Sequence, residues 1–378
     1  MKMIYIVNAR MPTEKAHGYQ IAKMCEEFAN LGIEVELWVP NVKNYIKEDC
    51  FTYYNLRKNF KVKKIKLNPC CRIFKFKEKY YFFVRNIYFS LKCFFKFKEK
   101  DTIIYTRDVW VGWLFGRRGY RTVYEAHSWP ESKIGFYKFF LRKIGKVVVI
   151  TNNLKKKFLK EGFNKNKILV APDGADLKKF DIRISRKEAR RKLDLPPDKR
   201  IILYTGHLYK WKGAQVLADS AKYLPEGAVI YFVGGLDSDR KNFINKNKEL
   251  IRQGKVVSIK NQPHKLIPFW LKAADVLVLP NLETENISRY YTSPLKLFEY
   301  MASQRPIVAS ALPSIKEILG KESSVLVEPG NPFALAQGIN KILDNEELGR
   351  KLAGKAYNIV QEYSWNKRAQ RILNFIML

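Results

Sequence analysis

Two short stretches of this 378-residue chain combine residue types that could hold a phosphorylated ligand. The first is Thr292-Ser293-Pro294-Leu295-Lys296-Leu297-Phe298-Glu299-Tyr300-Met301-Ala302. Ser293 followed by Pro294 predicts an N-cap with proline at the first helical position. Leu295, Phe298 and Ala302 then fall on one helical face. Glu299, one turn after Leu295, sits beside that apolar face, where a carboxylate is either paired or used. The free backbone N–H groups at the helix start form an anion site. A nucleoside diphosphate would place its phosphates at the tip and its ribose hydroxyls on Glu299; an ordinary capped surface helix is the alternative. The second stretch is Tyr204-Thr205-Gly206-His207-Leu208-Tyr209-Lys210-Trp211-Lys212-Gly213. It reads as a strand, a glycine turn that allows close backbone approach, and basic groups ahead of a helix. His207, Lys210 and Lys212 could neutralise a diphosphate, although the spacing is neither GxGxxG nor a Walker loop. A plain basic strand-to-helix loop is the other reading.

The elements that must position these residues are legible as apolar runs. In the first half they are Ile4–Val7, Val35–Val39, Ile103–Tyr105, Val123–Tyr124, Val147–Ile150 and Ile168–Val170. Most are β-branched without alternation, which suits parallel strands buried on both faces. The first leads through His17-Gly18 into a predicted helix from about Tyr19 to Leu31, stopped by Gly32. That strand–loop–helix–strand unit builds a doubly wound sheet. Polar text between Asp176 and Arg200, ending in Leu195-Pro196-Pro197-Asp198, marks a boundary. A second strand set follows at Ile201–Tyr204, Val229–Val233, Val256–Ile259, Val276–Leu279, Ile307–Ala309 and Val325–Val327. The expected organisation is an N-terminal Rossmann-like domain over 1–180, a C-terminal one over 181–355, and a last helix over 356–378 returning toward the first. The tail from about Asn331 to Leu378 reads as two helices.

The net charge is +34, and it is uneven: residues 1–180 carry 38 Lys+Arg against 16 Asp+Glu. Such a field favours anionic partners, whether nucleic acid, anionic membrane or phosphorylated substrates. The excess peaks between Arg57 and Lys100, where fifteen Lys+Arg meet only Glu78 and Glu99. There Tyr80, Phe83, Val84, Ile87, Leu91 and Phe94 keep a helical stripe flanked by Lys75, Lys77, Lys79, Arg85, Lys92, Lys96 and Lys98. A basic-aromatic helix of this kind lies well in an anionic lipid interface; a core helix with a solvated basic face is the competing reading, with nucleic acid behind both. Five cysteines (Cys25, Cys50, Cys70, Cys71, Cys93) without ligand spacing are expected as free thiols in a reducing compartment. The opening Met1–Val7 reads as a strand rather than a leader, and no window is long and apolar enough to span a membrane.

The loop and helix motifs together resemble the retaining glycosyltransferases of family 4 (glycosyl transferases group 1). In the loop, Gly206, Lys212 and Gly213 match the family pattern of glycine-arginine, a short spacer, then lysine-glycine, with His207 where arginine is usual. Glu299-Tyr300-Met301-Ala302 resembles the glutamate turn of the family's donor helix. Tyr291 stands where the family usually has a second glutamate, and Pro294 where it has glycine. Tyr124-Glu125-Ala126-His127-Ser128 resembles the strand end that brings a histidine toward the donor sugar. Val149–Asn152, Val170–Asp176, Gln262-Pro263-His264, Ala274–Pro280, Pro306–Ala309 and Glu317 extend the likeness along nearly the whole chain.

The resemblance implies an α/β fold of GT-B type, two Rossmann-like domains facing across a central cleft. It implies transfer of a sugar from a UDP- or GDP-sugar with retention, without metal or other cofactor. His127, Lys212 and His207 would serve the chemistry. Gly18, Gly206, Lys212, Ser293, Pro294, Leu295, Lys296 and Glu299 would hold the donor, with Glu299 on the ribose. His17 and Arg107 would face the acceptor. The basic first domain suits a cytoplasmic enzyme peripheral on the inner membrane face, acting on a lipid-linked or surface glycan rather than on nucleic acid. A non-catalytic nucleic-acid-binding protein and an inactive relative, which the His207 and Tyr291 departures keep open, are the alternatives.

Overall fold

The computed structural model describes residues 1–67, 78–99 and 101–378, and of residues 78–83 the backbone only. Cys70, Cys71, Lys75 and Lys77 lie outside the described residues, as do the side chains of Lys79, Tyr80 and Phe83. The chain forms two compact units, Met1–Pro172 with Trp365–Leu378, and Asp173–Ser364.

The first unit carries seven strands: β1 (Lys2–Ile6), β2 (Glu34–Asn41), β3 (Lys61–Lys66), β4 (Thr102–Thr106), β5 (Arg121–Ala126), β6 (Lys146–Val149) and β7 (Ile168–Val170). They pair in parallel in the order β3-β2-β1-β4-β5-β6-β7. Ile4 stands opposite Glu36 on one side and Ile104 on the other. β1, β4 and β5 are buried almost throughout, as their β-branched, non-alternating text requires. β3, Lys-Val-Lys-Lys-Ile-Lys, has too few apolar residues to announce itself. It is an edge strand, where lysines are tolerated and discourage further pairing. The helices used below are α1 (Ala16–Asn30), α2 (Glu78–Lys96), α3 (Val109–Gly116) and α4 (Ile134–Leu141). Gly32 follows α1 at φ +83°, the left-handed stop expected from its sequence. α2 buries Phe89, Cys93 and Phe94, with Phe97 just beyond its end, among Ile4, Ile6, Trp38 and Ile104. Its buried stripe keeps Phe94 of the expected one but leaves Leu91 exposed, because the packing ridge follows the i, i+4 pair Phe89 and Cys93.

The second unit repeats the plan with β8 (Arg200–Thr205), β9 (Ala228–Val233), β10 (Val256–Ile259), β11 (Val276–Leu279), β12 (Ile307–Ser310) and β13 (Val325–Val327), in the order β10-β9-β8-β11-β12-β13. Separate apolar clusters cover the two faces, one around Leu203, Leu277, Phe298 and Met301, the other around Ile202, Ile230, Val278 and Ile339. In each unit the strand order reverses once, between β1 and β4 and between β8 and β11. Ligands of open α/β sheets bind beyond the strand carboxyl ends at such a reversal. His17 and Arg107 follow β1 and β4; Gly206 and Pro280 follow β8 and β11.

After α5 (Leu295–Ala302), the tail contains three helices rather than the two expected: α6 (Pro332–Leu343), α7 (Glu346–Val360) and α8 (Trp365–Met377). Asn345 restarts the chain by accepting the Leu348 N–H, so the apolar periodicity that reads as continuous is cut. α8 belongs to the first unit and packs on α1, with Trp365 edge-on to Tyr19 at 6.4 Å.

Candidate functional site

In the second unit, β8 ends at Thr205 and is followed by Gly206, whose φ of +108° favours glycine. The chain then runs through His207 to Lys212 and turns at Gly213, φ +70°. A Cβ on Gly213 would stand 1.7 Å from the Pro280 carbonyl oxygen, so this position admits no side chain. The lysine-glycine pair is thus a packing requirement that presents Lys212 beside the strand ends. His207 stacks on Tyr209 with ring centroids 5.0 Å apart, and its carbonyl accepts the Tyr204 hydroxyl.

α5 differs from expectation at its start. Pro294, not Ser293, is the N-cap residue, and no side chain caps the helix. Ser293 Oγ instead accepts the Asp173 N–H at 2.9 Å, which removes it from capping. Lys296 turns inward: its Nζ donates to the Thr205 carbonyl at 3.0 Å and lies 3.5 Å from the Tyr204 ring centroid. The Thr205 N–H donates to the Tyr300 hydroxyl at 2.8 Å, so helix and strand end are tied twice.

The electrostatics of this cluster are set first by burial. Burial pushes Lys212 down to about 8. Burial and the like charge of Lys212 hold Lys296 well below the usual lysine range, with Glu299 opposing. Burial raises the Glu299 carboxyl to about 7, while Lys179 and Lys296 pull the other way. Lys179 Nζ also lies 3.4 Å from His264 Nδ1, and burial together with Lys179 depresses His264 to about 3. Lys179 and Lys296 therefore act on one buried carboxylate, and Lys212 acts on Lys296. A bound anion would relieve their mutual repulsion. Lys179 escaped sequence reasoning; nothing in Leu177-Lys178-Lys179-Phe180 distinguishes it from the other surface lysines.

The first unit builds a different site. Glu125, fully buried at the end of β5, collects partners from α1, β4, α8 and the loop that follows β5. His127 Nε2 lies 2.6 Å from its Oε1, Gln20 Nε2 donates to the same oxygen at 2.8 Å, and the Tyr105 hydroxyl donates to Oε2. Arg368 of α8, also fully buried, places Nη2 3.2 Å from Oε2. Burial alone would raise the Glu125 carboxyl, but Arg368, His127 and Arg107 hold it well below the usual range. Burial and Arg107 push His127 down to about 4. An ionised Glu125 beside a neutral His127 puts the imidazole proton on Nε2 and leaves Nδ1 as an acceptor. The Glu125 and Arg368 roles had no sequence signal beyond the Glu-Ala-His spacing.

Arg107 donates from Nη1 to Gln20 Oε1 at 3.1 Å. Arg107 and His17 line one cavity of about 390 Å³ with Asn8, Asn86, Asp108 and Trp110. Burial raises Asp108 to about 6 despite the Trp110 N–H that it accepts at the start of α3. Gly18 is packed closely: a Cβ there would meet the Tyr54 hydroxyl at 2.2 Å and Thr13 Cγ2 at 2.5 Å. Among the described residues, no cluster of three His, Cys, Asp or Glu side chains is placed to hold a metal ion.

Residues 185–359 match the family profile described as glycosyl transferases group 1. A Bacillus subtilis (strain 168) protein provisionally named teichuronic acid biosynthesis glycosyltransferase TuaC is 25% identical over 254 residues, 66% of this chain and 60% of that protein. The chain thus spans less than two thirds of that relative's length. Among solved structures, sucrose-phosphate synthase from Thermosynechococcus elongatus superposes with a TM-score of 0.79 at 20% identity, covering 99% of this chain and 98% of that one. Anabaena HepE in complex with UDP and glucose gives 0.76 at 16% identity over 99% and 98% of the two chains. At these identities the likeness is one of fold, and the fold is the GT-B architecture of two parallel α/β units.

Proposed function

We propose that the chain, whose residues 185–359 match the glycosyl transferases group 1 profile, transfers a hexose, with retention and without a metal ion, from a UDP- or GDP-sugar to a lipid-linked or surface-glycan acceptor. One observation carries the reading: Lys212 and Lys296 are brought together beside the start of α5 while Glu299 lies buried on the same helix. Departure of a nucleoside diphosphate builds negative charge on phosphate oxygens. Preorganised ammonium groups and helix-tip N–H groups stabilise that charge most where water is excluded. Lys212, Lys296 and the first N–H groups of α5, at Leu295 and Lys296, take the diphosphate, with Gly206 allowing its approach. His207 neutralises it when the bound phosphates favour the imidazolium. Glu299 accepts from the ribose hydroxyls. In the first unit, His127 Nδ1 accepts from a hydroxyl of the donor sugar, and its orientation is held by Glu125. Gly18 keeps the α1 start close-packed on the donor side, and the His17–Arg107 cavity receives the acceptor. The basic first unit brings the enzyme to an anionic membrane where that acceptor resides.

The test incubates the full chain with UDP-, GDP- and ADP-sugars and measures free nucleoside diphosphate. Release that falls by about two to three orders of magnitude in Lys212→Ala, and falls likewise in Glu299→Ala, supports the reading. Nucleotide binding with no release, even when lipid-linked and glycan acceptors are supplied, refutes it in favour of an inactive relative. HepE with UDP and glucose bound supports the choice of donor class.

A further inference from the structure

The helical layer α2-α3-α4 of the first unit carries apolar side chains that stand exposed among the described residues. Phe136 and Phe139, i and i+3 on α4, are each 51% exposed, and Phe95 on α2 is 72% exposed. They are not stray side chains. Phe136 packs on Trp110 with centroids 5.5 Å apart and on Phe140 at 4.6 Å, and Phe139 lies 6.1 Å from Trp113. Buried Phe140 with half-buried Trp110 and Trp113 thus holds two phenyl rings outward along one helix crest, a placement that solvent does not favour.

The charge around the crest is predominantly positive, with Lys138 of α4 and Lys157 paired to Glu161. From His127 to Lys160 there are nine Lys+Arg and a single acid, Glu131. Lys133, Arg142 and Lys143 are exposed beside α4, and Arg117 and Arg118 are exposed at the end of α3. The Arg117 and Arg118 guanidinium groups lie 5.2 Å over Trp113 and 4.6 Å over Phe94, respectively. Their charged ends therefore lie over aromatic faces at the edge of the layer.

From this geometry we infer that the α4 crest, led by Phe136 and Phe139, docks the protein on an anionic lipid surface. Phenyl rings enter the headgroup–acyl boundary while the surrounding lysines and arginines meet lipid phosphates. A second copy of the chain is disfavoured as occupant by the like charge on both copies. Nucleic acid is disfavoured because strand binders stack bases along a basic groove, whereas these rings stand on a convex helix. The inference rests on the preceding reading only for the reason to visit a membrane. It also moves the contact from the basic α2 stretch to α4 and its neighbours.

The experiment is flotation of the full chain with vesicles of phosphatidylcholine alone and of phosphatidylcholine with phosphatidylglycerol, at low and high salt. Binding is expected to the anionic vesicles, to weaken with salt, and to fall by about tenfold or more in Phe136→Ser/Phe139→Ser. Lys133→Glu/Arg142→Glu/Lys143→Glu should abolish the preference for phosphatidylglycerol. Both variants alter exposed positions, and circular dichroism confirms that they fold. Unchanged flotation of the phenylalanine variant, or no flotation of the parent, overturns the inference. Loss in that variant of single-stranded DNA binding, or of concentration-dependent dimerisation, without vesicle binding overturns it in favour of those occupants. Nucleoside diphosphate release is measured in parallel without vesicles. Flotation with no release from any donor when lipid-linked and glycan acceptors are supplied refutes the transferase reading and leaves the lipid surface standing; release with no flotation does the reverse.

Discussion

Replacing Arg368 by methionine is the most discriminating perturbation of the first unit. Arg368 and Glu125 are both fully buried and 3.2 Å apart. At an effective dielectric of about 20, that separation corresponds to about 5 kcal/mol of attraction. Arg368 also donates from Nε to the carbonyls of Ala171 and Pro172 at 3.3 and 3.0 Å, and stranding those acceptors adds about 1 kcal/mol. Against this, Glu125 keeps donors from Gln20, Tyr105 and His127. The expected net cost is about 3–5 kcal/mol, the range for a buried pair that loses one member. Urea unfolding of the full chain reads it, with fluorescence of Trp365 following the α8–α1 contact. Arg368→Met/Glu125→Gln removes both charges, and the cycle should return a coupling of about 2 kcal/mol or more. A second readout is specific to the network. Removing the Arg368 charge takes away one of the groups that depress His127, so the His127 titration seen by NMR should move up from about 4. Arg368→Met within about 1 kcal/mol of the parent, or an unchanged His127 titration, refutes the argument that α8 holds Glu125 and His127 in place.

Glu299→Gln should be the rare substitution that stabilises. The Glu299 carboxyl is raised by burial to about 7 from an ordinary 4.5, so the native state holds its proton more tightly than the unfolded chain. The favourable contribution is complete below pH about 4.5 and is lost as pH rises through 7. Glu299→Gln is therefore expected to be more stable than the parent by about 2–3 kcal/mol at pH 8 and equal to it near pH 4, in denaturant titrations at the two pH values, while its donor affinity falls. Gly213→Ala should cost about 2–4 kcal/mol and displace Lys212, because φ is +70° and the new Cβ would meet the Pro280 oxygen. Thermal unfolding and donor affinity should drop together. His127→Gln, which keeps an acceptor but not the ring, should leave urea stability within about 1 kcal/mol of the parent while nucleoside diphosphate release falls.

The architecture was legible in the sequence wherever burial on both faces of a strand forced continuous β-branched text. The cores of β1, β4, β6, β8, β9, β11 and β12 were found on that ground. β3 was missed because an edge strand needs little apolar text, and the division of the tail into three helices was missed because an asparagine cap interrupts backbone continuity without interrupting periodicity. The two turns that flank the lysine loop were also readable, since positive φ at Gly206 and Gly213 leaves few alternatives to glycine.

By itself, the sequence determined two parallel α/β sheets, their strand ends, the anion-oriented loop before Gly213 and the helix carrying Glu299, because these follow from local periodicity and backbone sterics. Only the tertiary structure decided which charges answer one another. Lys179 with His264, Lys296 with Thr205, Arg107 with Gln20 and Arg368 with Glu125 pair residues from different elements. Tertiary packing also decided that Ser293 serves Asp173 instead of its own helix, and which aromatic side chains of the basic first unit face outward. Long-range pairing depends on how helices settle on a sheet, and on the burial that settling imposes on each charge. Neither quantity is encoded in the spacing of residues along the chain.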